Sequence, residues 1–517
     1  MQNDGKGIRG LSRREFLKLV SLVPVGIYSR PLQHLAGSAQ AEDRKNIIVI
    51  VFDAWSQRHV SLYGYPRPTM PNLEKFAERA TIYHNHYSAG TFTVPGTSSL
   101  LTGLHPWTHR AFQLGGGLGA AHTGRTIFSV LSSTHSTYAY TQNKFADQIL
   151  NQVDGTLDQH IPHWSFNMEY NSLYGARIFH KDPRIAFASI EDNIIQKGEG
   201  KDTSVFFGPL YRLRMLKERK RNKGRYGHNY PLGLPDAASE AFLLPDVVEG
   251  AIQALKEIQQ PALVYFHFYP PHEPYTPSAE FYGHYLMDGW SAPYKPIHEL
   301  SEKRLDSGVL QIQRRNYDEY IASWDREVAR LFQFLEDSGL TGNSYIFVTS
   351  DHGELFERGE FGHWTKMIYD PLIHIPLIVR KPGQTTREDV HTITSSVDLV
   401  PTIATLTGNP IPEWSEGNLL PWLGGTDEEQ GVFSMDAKSN SSFGPLRNYS
   451  ISLTRDRHRL VHYSYPRDHY EKYELYDLED DPGEISDLYP SFPALARQMK
   501  DELLQKVLEV NKPFDRA

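Results

Sequence analysis

The sequence predicts an α/β fold, with a large, mostly parallel sheet covered by helices on both faces and a smaller α+β part at the C-terminal end. Three observations predict it. Four short apolar runs are rich in β-branched and aromatic residues, as buried parallel strands are. Amphipathic segments of helical period alternate with them. Three of the four runs end on residues able to carry chemistry: Asp53, His267 and the pair Asp351-His352. In open α/β sheets, ligands sit beyond the carboxyl ends of the strands.

Each element follows in order. Asn46 to Phe52 is the first strand, ending at Asp53. Pro71 to Ala80 reads as a helix, and Ser98 to Gly103 continues a second one. Pro261 to His267 is a strand, Arg315 to Gly339 a long amphipathic helix, Ser344 to Thr349 a strand, and His374 to Val379 another. Pro493 to Val510 is the closing helix. Residues 148–245 have weak periodicity and many turn formers, so they read as an insertion or lid. Within them Arg212 to Arg225 holds eight basic residues and one acid, Glu218, which is either a solvated helix face or a contact for an anionic partner. The expected division is 1–41 as an export signal, 42–424 as the catalytic domain and 425–517 as a C-terminal subdomain.

The N-terminal segment carries Ser12-Arg13-Arg14-Glu15-Phe16-Leu17-Lys18, then an apolar run from Leu19 to Tyr28, then Ala39-Gln40-Ala41. That order matches a twin-arginine signal with a small-residue cleavage site. The run is too short to span a membrane, which takes about 20 apolar residues. The expected location is therefore periplasmic or secreted, and the translocase is a transient partner. The chain contains no cysteine. Residues 1–41 hold six Lys/Arg and two Asp/Glu, so their removal takes the formal charge from −9 to −13. Such an acidic chain does not bind nucleic acid through its overall field.

Asp53, Asp351 and His352 supply oxygen and imidazole ligands for a divalent cation. In Thr91-Phe92-Thr93-Val94-Pro95, Pro95 suits the first turn of a helix and places Thr93 just before its N-terminus. There Thr93 is either a helix cap or a hydroxyl poised as a nucleophile. His267 and His272 are presented by a proline-stiffened segment and are candidate proton donors. Gly362-His363-Trp364-Thr365-Lys366 offers cationic support for anionic oxygens through Lys366 and His363.

From about residue 45 to 490 the chain resembles the sulfatase family of the alkaline phosphatase superfamily. The resemblance rests on Asn46 to Asp53, Pro71 to Ala77, Thr93-x-Pro95 through Leu101-Thr102-Gly103, Pro271-His272-x-Pro274, Thr349 to Glu354, Val397 to Thr402 and Glu474 to Glu484, all in family order. It implies an alkaline-phosphatase-like three-layer sandwich. It also implies hydrolysis of an anionic ester, with an envelope or extracellular glycan or lipid as the substrate source. Four departures matter. Thr93 stands where the family has a cysteine or serine that becomes formylglycine, and its methyl group bars that oxidation. Gly96 and Thr97 replace the Ser-Arg of the signature, Ala54 replaces the second aspartate, and Ala146 replaces a histidine of the Gly-Lys-x-His pattern that Lys144 retains.

The remaining set, Asp53, Thr93, Asp351 and His352, resembles the single-metal site of relatives with a threonine nucleophile. These include phosphodiesterases, phosphonate hydrolases and phosphoalcohol transferases. The implied chemistry is cleavage of a phosphate diester or phosphonate ester with one Mn, Mg, Zn or Ca ion. Thr93 attacks, His272 or His267 protonates the leaving oxygen, and Lys366, His363 and Lys144 neutralise the other oxygens. The alternatives are a sulfuric ester hydrolase with an atypical nucleophile, a phosphoalcohol transferase, and a non-catalytic glycan-binding protein.

Overall fold

Strand β1 (Asn46–Asp53) alternates its side chains between two cores, and that alternation defines the architecture. Ile48, Ile50 and Phe52 face one core; Ile47, Val49 and Val51 face the other. The computed structural model describes residues 44–168, 217, 220–237, 240–426 and 431–514. The export signal expected at 1–41, residues 169–216 of the expected insertion and part of the basic stretch lie outside the described residues.

The main sheet has eight strands. They are β1, β2 (Thr81–Tyr83), β3 (Ser136–Thr141), β4 (Gln159–Ile161), β5 (Ala262–Pro271), β6 (Ser344–Ser350), β7 (Leu377–Arg380) and β8 (Glu388–Val390). Their spatial order is β8-β2-β7-β6-β1-β5-β3-β4. Only the β7 pairings, with β6 and β2, are antiparallel. The β1 strand lies between β6 and β5, parallel to both, so Asp53, Ser350 and the end of β5 reach one edge together.

Helices cover both faces. On one face lie α4 (Leu244–Lys256) and the 31-residue α5 (Ser307–Asp337). Tyr317, Tyr320, Ile321, Trp324, Val328 and Leu331 of α5 recur at three- and four-residue steps and enter that core. The opposite face carries α2 (Thr93–Thr102), α3 (Lys144–Val153) and α6 (Leu399–Leu406). The remaining α1 (Pro71–Ala77) packs on α5 through Phe76, which stacks on Phe332 at 4.5 Å. This is the expected three-layer α/β sandwich.

Some boundaries shift for local reasons. The long helix starts at Ser307 because the Asp306 carboxylate accepts the Val309 amide at 3.0 Å and caps it. The strand expected from His374 starts at Leu377, since Pro376 has no amide to offer a ladder. The end of α3 and the edge strand β4 fall within the first part of the expected insertion, 148–245.

A second sheet is a four-stranded antiparallel meander: β9 (Val432–Asp436), β10 (Tyr449–Arg455), β11 (His458–Tyr465) and β12 (Tyr470–Asp477). Helix α7 (Pro493–Asn511) lays Ala496, Met499, Leu503 and Val507 on it. The described residues from Lys45 onward form one compact unit. The fully buried Arg459 of β11 ties the second sheet to the Asp370–Ile373 turn. Its guanidinium reaches Asp370 at 2.9 Å and Glu484 at 2.8 Å. Removing one partner of a buried ion cluster leaves the others uncompensated. Arg459→Leu is expected to destabilise the protein by about 3–5 kcal/mol, seen as a lower urea midpoint.

Candidate active site

The site forms where β1, β5 and β6 end. The register of β1 against β5 shifts at this end, where Phe52 lies opposite Phe268 but Asp53 opposite Pro271. Ala54 adopts a left-handed conformation, φ 57°, and points its amide at Asp351 Oδ1, 3.3 Å away. The His352 amide donates to the same oxygen at 3.0 Å. Helix α2 presses its first turn on this edge. A Cβ added to Gly96 would lie 2.3 Å from the Asp351 carbonyl oxygen, so the serine of the family signature does not fit here without a shift.

Asp53, His267, Asp351 and His352 are all fully buried. His267 Nε2 lies 3.4 Å from Asp53 Oδ2 and 3.7 Å from Asp351 Oδ2. His352 Nε2 lies 3.5 Å from Asp53 Oδ1 and 3.6 Å from Asp351 Oδ2. One ligand atom each from Asp53, His267 and Asp351 falls within 4.8 Å of the others. Asp53 Oδ1, Asp351 Oδ2 and His267 Nε2 are buried without a hydrogen-bond partner. Three orphaned acceptor-type atoms in one place suit a cation. Burial opposes the charge on Asp53, yet the nearby imidazoles of His272, His267 and His352 hold its pKa well below the usual carboxylate range. Burial and the Asp53 charge push Asp351 up. Two buried carboxylates sharing a site repel unless positive charge joins them.

Thr93 is the first residue of α2, one position later than a cap, and its side chain does not cap the helix. Its hydroxyl instead faces the cluster, 3.4 Å from His352 Nε2 and 3.2 Å from Asn143 Nδ2. Asn143 also donates to Asp53 Oδ2 at 2.5 Å, while its own carbonyl oxygen caps α3 by accepting the Phe145 amide at 2.8 Å. The His352 Nδ1–H donates to the Gly353 carbonyl at 2.9 Å, which leaves Nε2 as the electron-pair donor facing the cluster.

A model of the family described as "Sulfatase" matches residues 45–409. The chain belongs to the sulfatase family. A second sulfatase-family model, "N-sulphoglucosamine sulphohydrolase, C-terminal", matches residues 359–511. A multifunctional alkaline phosphatase superfamily protein, PehA of Trinickia caryophylli, is 23% identical over 89% of this chain and 95% of its own. A choline-sulfatase of Rhizobium meliloti is 26% identical over 45% of this chain and 47% of its own. Among solved structures, a phosphonate monoester hydrolase of Agrobacterium radiobacter superposes with TM-score 0.63 at 19% identity, covering 90% of this chain and 96% of that one. The fold and the class of ester hydrolase follow from these matches.

Within this sulfatase-family frame, the expected residues divide. Thr93, His272 and His363 line a cleft of about 1100 Å³ beside the cluster. The imidazoles of His352 and His363 are 4.4 Å apart, and those of His363 and His272 are 4.8 Å apart. His363 Nδ1 pairs with the buried Glu354 at 3.0 Å. His267, expected as a proton donor, lies inside the ligand cluster and is not among the residues lining the cleft. Lys366 and Lys144 are also placed differently from expectation. The Lys366 ammonium lies 3.7 Å from Glu302 and 3.6 Å from Asp468, and Lys144 lies 3.5 Å from Glu240. Among the described residues, the lysines that line the cleft are Lys303 and Lys223. Asn143 was the residue hidden most completely: its signal was its position just past a strand end, and it reads equally well as a helix cap.

Lys144 and Glu240 belong to a chain of charges that fastens α3 to its neighbours. His163 lies 3.3 Å from Asp147 and 3.5 Å from Glu240, and His160 lies 2.9 Å from Asp147. Burial works against the His163 charge, but Asp147 and Glu240 push its pKa up to about 9. A histidine raised on folding gives its full stabilisation below its unfolded value of 6.5 and loses it as the pH climbs through about 9. His163→Gln is therefore expected to cost up to about 3 kcal/mol near pH ~6 and far less near pH ~9.5. Urea unfolding of both proteins at the two pH values checks this; a pH-independent difference would show that His163 folds uncharged.

Proposed function

We propose that this chain hydrolyses phosphate diesters or phosphonate monoesters through a threonine nucleophile, after export by the twin-arginine route to the periplasm or cell exterior. The observation that carries the reading is the Thr93 hydroxyl. It sits at a helix start, 3% exposed at the cleft wall, and faces a buried cluster of orphaned ligand atoms. Asp53, Asp351, His352 and His267 would hold one divalent cation. Such an ion, when bound, supplies Lewis-acid charge for an anionic ester and lowers the cost of ionising a nearby hydroxyl.

The chain's own residues then do the rest. Asn143 orients Thr93 by its 3.2 Å hydrogen bond and steadies Asp53. The helix start places the dipole of α2 behind the reacting group. Thr93 Oγ1 releases its proton to solvent and bonds to the central phosphorus as the bond to the leaving oxygen breaks, and protonated His272 gives that oxygen its proton. Neutral His272 then takes a proton from the water that attacks the threonyl ester; the Thr93–phosphorus bond breaks, the acid leaves, and Thr93 Oγ1 recovers a proton from solvent. The similarity to PehA and to the phosphonate monoester hydrolase supports phosphorus esters. A sulfuric ester hydrolase is the second reading. It is favoured by the choline-sulfatase match and by a similar structure solved with D-glucosamine-2-N,6-O-disulfate, TM-score 0.65.

Release of p-nitrophenol from its sulfate, phosphate monoester, phosphate diester and phosphonate monoester separates the two readings. Thr93→Ala is expected to lower kcat by about a thousandfold or more while metal content, read by elemental analysis, stays stoichiometric. Asp351→Asn is expected to lower metal affinity by at least about tenfold, with turnover falling in proportion to the metal lost. Full turnover in the Thr93 variant would place the nucleophile elsewhere.

A further inference from the structure

We propose that Trp364 is the specificity surface of the cleft, packing against one flat or apolar group on the ester, and that the cleft disfavours polyanionic substrates. The proposal rests on the ester-hydrolase reading and deepens it. Trp364 directly follows His363 and is 47% exposed, although it lines the cleft. Its indole stands edge-on to Phe92, 5.3 Å between centroids, and Phe92 directly precedes Thr93. The platform is therefore one residue away from the nucleophile on one side and from His363 on the other.

The plane of the indole is held from behind. The Lys438 ammonium lies 5.0 Å from its centroid and 5.7 Å from that of Phe92. That ammonium is itself fixed by Asp436 and the Thr365 carbonyl. A cation over the ring and an aromatic edge beneath it set its orientation before any ligand arrives. A preordered, half-exposed indole gives contact area at little entropic cost. Phe145, Tyr226 and Tyr269 extend the aromatic lining of the same cleft.

Charge gives the second half of the argument. Among the described lining residues two lysines, Lys223 and Lys303, are matched by two carboxylates, Asp236 and Glu273. A cleft built for a multiply sulfated glycan would carry an excess of cations along its length. Among the described lining residues this one offers aromatic faces and no net charge beyond the reacting centre. One anionic ester with one ring or apolar chain fits that pattern.

The test pairs two monoanionic diesters with the same leaving group: bis(p-nitrophenyl) phosphate and methyl p-nitrophenyl phosphate. Trp364→Ala is expected to lower the aryl-to-methyl ratio of kcat/KM about tenfold, chiefly through KM, and Trp364→Phe is expected to keep most of the ratio. Equal losses on both diesters, or none, would overturn the proposal. Calorimetry on the metal-loaded wild-type protein stands apart from turnover, so it reads the proposal even if neither diester is hydrolysed. Phenylphosphonate should bind about tenfold tighter than methylphosphonate. Equal binding, or a disulfated glucosamine that competes better than phenylphosphonate, would overturn it.

Discussion

Two carboxylates, Asp53 and Asp351, are buried against each other at the ends of adjacent parallel strands, and much of the surrounding structure exists to keep them there. Left alone, such a pair would protonate or move apart. The fold permits neither easily. The pairing of β1 with β6 is unbroken from Asn46 to Phe52, so the two strand ends cannot slide. The left-handed turn at Ala54 spends its amide on Asp351, and the Trp55 amide is held by Ser350 Oγ at 2.9 Å. Two buried imidazoles and one amide, from His267, His352 and Asn143, occupy the remaining sides. An arrangement of this kind is stable when a cation completes it, and the orphaned atoms mark where that cation would sit.

The same constraint explains why the second sheet is joined to the first. The loop after Asp351 is gripped through its backbone: the Gly353 amide donates to the Leu372 carbonyl at 2.7 Å and the Glu354 amide to the Pro371 carbonyl at 3.0 Å. That 370–373 segment is anchored in turn by Asp370, which receives Arg58, His374 and Arg459. Burial opposes ionisation of Asp370, but the charges of Arg58, His374 and Arg459 hold its pKa well below the usual range. A line of contacts therefore runs from β11 through Asp370 to His352. The C-terminal meander steadies the site without lining it.

The parts of this fold that the sequence made legible are those whose signal is local. Asp53 and Asp351 follow long β-branched runs, and strand-end acids in an α/β sheet declare themselves. Thr93 was legible because Pro95 marks a helix start. The shortest strands of the main sheet, β2, β4 and β8, have three residues each, too few for any period to show. Asn143 and His267 acquire their roles only through contacts with residues at least 50 positions away. The lysines were misplaced for a related reason. A lysine has a long, flexible reach, so Lys366 beside His363 in sequence turns to Glu302 and Asp468, while Lys303, from a distant loop, arrives at the cleft.

Threonine at position 93 is consistent with how tightly the rest of the site is specified. A β-branched side chain in a helix is largely confined to two χ1 settings. The methyl group therefore helps the backbone decide where the hydroxyl points, and Asn143 need only refine that choice. The first turn of α2 is fixed in turn by Gly96, whose missing side chain lets the helix rest on the Asp351 carbonyl. The glycine at 96 and the threonine at 93 act in the same helical turn: one lets that turn rest on the Asp351 carbonyl, and the other presents its hydroxyl to His352 and Asn143.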